Sequence, residues 1–189
     1  ACMKVFSHKK GLVRRLLRVV GAIVLFVVAL FVVGSVSPIY DFAPMRKFEG
    51  RDIYNPYKNF DTTSGWKRAN FHTHTRVEGL LNECEYWPDK VLEAYEGLGY
   101  DIVTFSNHNE FTLHPKGEAY QVDLYEHGYN LLKFHKLTFG AKGVLAFDHL
   151  VPLLASQKQF QIELLMRDAD IVQLNHPLRT PTLSKSQME

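Results

Sequence analysis

Eighteen consecutive residues without a charge, Val19 to Val36 (VVGAIVLFVVALFVVGSV), constrain the chain more than any other stretch. At about 1.5 Å per helical residue the run spans roughly 27 Å, close to the hydrocarbon thickness of a bilayer. A helix buried in a soluble core would be shorter and would carry a polar face. Ahead of the run stand Lys4, Lys9, Lys10, Arg14, Arg15 and Arg18, and the first acidic residue is Asp41. That asymmetry predicts a cytoplasmic amino terminus, with everything after Ser37 on the far side of the membrane. The run is long for a cleaved signal peptide, and a cut after Ser35-Val36-Ser37 would leave Pro38 directly behind the broken bond. Residues 1–18 therefore read as a basic cytoplasmic flank and residues 19–37 as an uncleaved transmembrane signal anchor, making the membrane the first expected partner.

The 189 residues are enough for one domain with a proper core beyond the anchor. Six of the 22 basic residues precede the run and none of the 20 acidic ones does, so the exported part is net acidic. A basic stripe of the kind nucleic acids require is missing, and the chain carries no nucleic-acid-binding signature. Of the two cysteines, Cys2 falls on the cytoplasmic side and Cys84 stands alone outside. Neither a disulfide within the exported domain nor a cysteine-based zinc cage is available to it. Oligomeric state leaves no mark in the sequence.

Residues 38–68, rich in Pro, Tyr, Asn and Asp, read as a linker or pre-barrel segment. Its aromatics Tyr40, Phe42, Tyr54, Tyr57 and Phe60 are expected to pack on the domain. Residues 69–189 form that domain. A first strand over about 68–75 carries Phe71-His72-Thr73-His74-Thr75, and alternation along a strand puts both imidazoles on one face. A helix is expected to open at Pro88, with Val91, Leu92, Tyr95 and Leu98 at helical spacing and Gly97 and Gly99 at its end. Asp101 to Phe105 is a short buried strand running into Ser106-Asn107-His108-Asn109, and strand–helix–strand reads as a parallel unit. Further extended segments are expected at 120–125, 131–138, 144–147 and 170–174, with a helix over about 156–166 whose core is Leu164-Leu165-Met166.

These segments deliver His72 and His74, His108, Glu126 and His176 at or just past strand carboxyl ends. In a barrel of parallel strands all such ends share one rim, where sites are built. Imidazoles with a carboxylate suit Zn, Mn or Fe, whereas Ca and Mg prefer oxygen shells. Five or more ligands exceed the needs of one tetrahedral ion, so two or three divalent ions are expected. A carboxylate such as Glu126 would bridge them, and ions about 3.5–4 Å apart can together activate water and clamp a phosphoryl oxygen. Arg179, three residues past His176, is positioned in sequence to hold a phosphate.

At these residues the chain resembles the PHP (polymerase and histidinol phosphatase) family of metal-dependent phosphoesterases. Phe71-His72-Thr73-His74-Thr75 is similar to the family's first motif and Ser106-Asn107-His108-Asn109 to its second. Glu126 followed by His135 resembles the third, and Leu174-Asn175-His176-Pro177 resembles the Ala-His-Pro segment. The resemblance implies an α/β fold: a partial, distorted (β/α)7 TIM-like barrel, preceded here by the one amino-terminal transmembrane helix. It implies His72, His74, His108, Glu126, His135 and His176 as metal ligands, and a phosphorylated small molecule or a phosphodiester as substrate. Glu126, His108 and Arg179 are the residues expected to act in the reaction. Where the family commonly has Ser-Asp-Gly, this chain has Val77-Glu78-Gly79, which makes Glu78 the candidate replacement ligand. The family's closing Asp-x-His has no counterpart after His176, so the domain is expected to be carboxyl-terminally incomplete. Two other readings stay open on sequence: a non-catalytic module that binds a ligand or partner, and a metal-dependent amidohydrolase.

Overall fold

A computed structural model describes residues 2–44, 65–79, 82–179 and 183. The first helix, α1, runs Cys2–Val33. Within it, the span Gly11–Val33 contains an 18-residue window of mean hydropathy 3.0, none of which is buried among the described residues. Such a helix is long and apolar enough to cross a membrane. The expected packing of Tyr54, Tyr57 and Phe60 lies outside the described residues. Tyr40 does pack on the domain: its hydroxyl donates to Glu163 Oε2 at 2.8 Å, and its ring lies 6.1 Å from the half-exposed Phe42.

The remainder is a mixed α/β unit of short elements: β1 (Ala69–Asn70), α2 (Pro88–Gly97), β2 (Ile102–Val103), β3 (Leu124–His127), β4 (Lys136–Phe139), α3 (Ala155–Met166) and β5 (Ile171–Leu174). Pro88 opens α2 as expected, because its missing N–H falls where no helical partner exists. Gly99, at φ +77°, lets the chain turn out of the helix and donates its N–H to Glu96 O at 2.9 Å. Val91 and Leu92 of α2 pack on Val103 and Phe105, which fastens the helix to the parallel β1–β2 pair. On the other side, Leu165 of α3 meets Tyr125 and Ala141 over the β3–β4–β5 sheet.

The two sheets are joined where His108 and Glu126 form a single parallel bridge. Glu126 N–H donates to Asn107 O at 3.1 Å, and Asn109 N–H donates to Glu126 O at 2.9 Å. The chain order across the assembled surface is thus 69–75, 102–109, 124–127, 136–139, 171–174. Only the first half is parallel. β4 runs antiparallel to both β3 and β5, so the expected all-parallel arrangement does not hold, and the described residues close no barrel. The stretch 144–147 forms no strand, and the extended segment at 131–138 shortens to β4. Of the three apolar residues at the end of α3 only Leu165 is buried, whereas Met166 is exposed. The helix instead buries Gln157 and Gln161.

Candidate metal centre

His72 and His74 lie just beyond β1 in a stretch with no ladder of its own. The expected alternation survives regardless: Thr73 and Thr75 are buried while the two imidazoles point the other way, half-exposed. Side-chain bonds hold this register where a ladder is lacking. Thr73 N–H donates to Ser106 Oγ at 3.0 Å, and Thr75 N–H donates to Asn107 Oδ1 at 2.8 Å. Asn107 in turn donates to Thr75 Oγ1 at 2.7 Å. The turn containing His108 is therefore pinned to the His-x-His segment by buried, paired polar groups.

Glu126 sits inside β3 rather than past its end, and its carboxylate is 1 % exposed. Five imidazoles from four segments face it. His72, His74 and His108 Nε2 lie 3.2, 3.0 and 3.5 Å from Oε2. His135 Nδ1 and His176 Nε2 lie 3.4 and 3.1 Å from the other oxygen, Oε1. Antiparallel β4 explains His135: it stands at that strand's amino end, which shares a rim with the carboxyl ends of its neighbours. Gly128 admits the ring. At φ +121° it occupies a region open to glycine, and a Cβ there would come within 3.1 Å of His135 Cδ2.

Glu78, the expected seventh ligand, is exposed and makes no ion pair with these imidazoles. Glu83 takes that place. Its Oε2 lies 3.4 Å from His74 Nε2 and 3.5 Å from His108 Nε2. Next to it, Val77 N–H donates to Asn82 Oδ1 at 2.7 Å, and the Glu83 side chain, 52 % exposed, lies at the cavity wall. Three overlapping ligand groups result: His72–His74–Glu126, His108–Glu126–His135 and His74–Glu83–His108, each with donor atoms within 4.8 Å of one another. Donors about 2.0–2.3 Å from a common ion sit roughly 3–4 Å apart, so the spacing fits transition-metal coordination. Glu126 belongs to two of the groups, in keeping with a bridging carboxylate.

The donor balance also fits. Five imidazoles and Asn175, whose Nδ2 donates to Glu126 Oε1 at 2.8 Å, converge on one carboxylate. A carboxylate offers about four acceptor positions. Cations among the imidazoles would relieve that excess by taking nitrogen lone pairs. Burial alone would raise the Glu126 pKa, but hydrogen bonds from His135, His72, His74 and Asn175 outweigh it and hold the group far below the usual carboxylate range. Burial pushes His108 and His176 down, which favours the neutral form a metal requires. His108 Nδ1 and His176 Nδ1 are buried with no partner among the described residues.

The cluster floors a cavity of about 560 Å³, with Asn82, Tyr129, Lys133 and the exposed Arg179 around it. Among the described residues three non-glycine positions have positive φ, and all stand at this cavity or beside it: Asn109 (49°), Lys133 (55°) and His176 (28°). Strain of this kind gathers at functional sites. His127 is elsewhere, its Nε2 donating to Phe147 O at 2.9 Å, and His114 stacks on Tyr120. Compared with models of protein families, with curated proteins and with solved structures, the chain matches none.

Proposed function

We propose that the chain is a membrane-anchored, metal-dependent phosphoesterase of the PHP type, its domain an open portion of a TIM-like barrel. The observation that carries the reading is the meeting of His72, His74, His108, His135 and His176 around the two oxygens of one buried carboxylate. The helix Gly11–Val33 would anchor the domain with its basic flank in the cytoplasm.

Two or three clustered Zn, Mn or Fe ions would supply an activated water and charge neutralisation on the attacking and leaving oxygens. His72 and His74 would hold one ion and His108 and His135 another, with Glu126 shared between them. Glu83 would complete the shell between His74 and His108. Arg179, at the cavity wall, would take the non-reacting phosphate oxygens through paired N–H bonds, orienting a phosphomonoester or phosphodiester toward the cluster. Tyr129, whose hydroxyl donates to His108 O at 2.8 Å, keeps that segment in place at the mouth.

The test is hydrolysis of nitrophenyl phosphate and bis-nitrophenyl phosphate by the full chain in detergent with Mn, Zn or Fe added. Activity with one of these esters, lost in His72→Ala/His74→Ala, is expected. Equal activity in the double variant would overturn the mechanism. Metal binding without hydrolysis of either ester would instead favour a ligand-binding module.

A further inference from the structure

The apolar span ends at Val33, and the next residues are seized by the domain almost at once. Gln157 Nε2 donates to Ser35 O at 3.1 Å, and the His149 ring, through Nε2, donates to Val36 O at 3.1 Å. Tyr40 N–H donates to Ser156 Oγ at 3.2 Å. These carbonyls lie two and three residues past the helix end at Val33, where they would otherwise need water. Their partners are buried side chains. His149 is fully buried and accepts at Nδ1 from Gln161 at 2.9 Å, while Gln157 is 3 % exposed.

His149 and Gln157 bracket the loop 150–154. Its Leu153 and Leu154 are 63 % and 62 % exposed, and Ile39 on the adjoining strap is 97 % exposed. Two to three residues of chain reach at most about 7–10 Å. The headgroup layer on each side of the hydrocarbon is about 5–8 Å thick. A loop tied to Ser35 and Val36 is therefore held within about 10 Å of the hydrocarbon edge, in the headgroup layer or directly above it.

We propose that the loop 150–154, with Ile39, dips into the headgroup–acyl boundary beside the emerging anchor, so that the domain lies against the bilayer instead of swinging on a free linker. The occupant of this apolar surface is the lipid of the anchoring membrane. The proposal rests on the anchoring reading of α1 and goes beyond it. Leucines at such a boundary gain burial that water denies them.

The test uses the full chain in phosphatidylcholine vesicles, with Cys2 and Cys84 replaced by Ser and one environment-sensitive fluorophore attached at Leu153→Cys, Leu113→Cys or Phe26→Cys. Leu113 is 81 % exposed and away from the strap, and Phe26 lies within the span. Lipids carrying a nitroxide near the headgroup are expected to quench the probe at 153, with a blue-shifted emission, and to leave the probe at 113 bright. A deep nitroxide is expected to quench the probe at 26. If 26 is quenched while 153 and 113 respond alike, the docking falls and the anchor stands. If 26 is not quenched, both fall. A probe at 153 shielded from aqueous iodide yet untouched by lipid nitroxide would show a protein cover, a second copy included, and would also overturn the proposal.

Discussion

Asn175 donates from Nδ2 to Glu126 Oε1 at 2.8 Å, and this bond sets the direction in which the carboxylate faces its five imidazoles. The backbone N–H of Asn175 donates to His135 O at 3.1 Å, which fixes the main chain from which this amide projects. Groups that orient a metal ligand typically contribute 10–100-fold to affinity or activity. Asn175→Ala is expected to weaken metal binding by about that factor while circular dichroism stays native. Unchanged metal affinity would remove Asn175 from the account.

Glu83 and Glu78 can be separated by paired variants. Glu83→Gln removes a carboxylate within 3.5 Å of two imidazoles, and Glu78→Gln removes an exposed one with no such neighbours. Titration with Mn should show affinity reduced by about tenfold or more in the first and unaltered in the second. The reverse result would return the ligand role to Glu78.

Lys136 gives a pH signature of the metal-free chain. It is fully buried, with Nζ donating to Phe134 O at 2.9 Å and to Gln161 Oε1 at 2.5 Å. Burial pushes its pKa down to about 7, against the opposing pull of Asp148 and Glu126. An unfolded lysine titrates near 10.4, so between pH 7 and 10 the unfolded chain binds a proton that the folded one lacks. Stability therefore rises with pH across that window, by about 2 kcal/mol from pH 7 to 9. Urea unfolding in detergent should show this rise in the parent chain and its loss in Lys136→Met. An equal slope in both would contradict the assignment.

Helix α2 is expected to respond as an ordinary core element. Leu92, 6 % exposed, packs with Val91, Val103 and Phe105. Leu92→Ala should cost about 2–4 kcal/mol in the same urea assay. A cost below about 1 kcal/mol would mean that α2 is not seated on β2 as described.

The parts of the fold legible in the sequence were those with strong local signals. The uncharged run, Pro88 at a helix start and the apolar spacing of Val91 and Leu92 all act within a few residues; the two features of α2 emerged where expected, and the run emerged as a helix that stops at Val33, short of the expected end at Ser37. The direction of β4 was not legible, because a four-residue strand reads the same both ways and its pairing depends on distant partners. That reversal put His135 at a strand's beginning, though still on the shared rim. Glu83 was missed for a similar reason. The sequence offers Glu78 at nearly the right spacing, whereas Glu83 reaches His74 and His108 from further along the loop, a proximity that spacing does not encode. The buried Gln157, Gln161 and Lys136 broke the apolar rule altogether. They are buried because they partner one another, His149 and the chain leaving the anchor, a network no periodicity reveals.

Everything in the site depends on Glu126 acting as a shared ligand and not merely as the counter-charge of a histidine cluster. Elemental analysis of the purified full chain, beside Glu126→Gln, tests this most directly. The account predicts two or three Zn, Mn or Fe ions per chain in the parent and the loss of at least one in the variant. A parent chain that holds no transition metal after incubation with these ions, or a Gln variant that keeps its full complement, would contradict it.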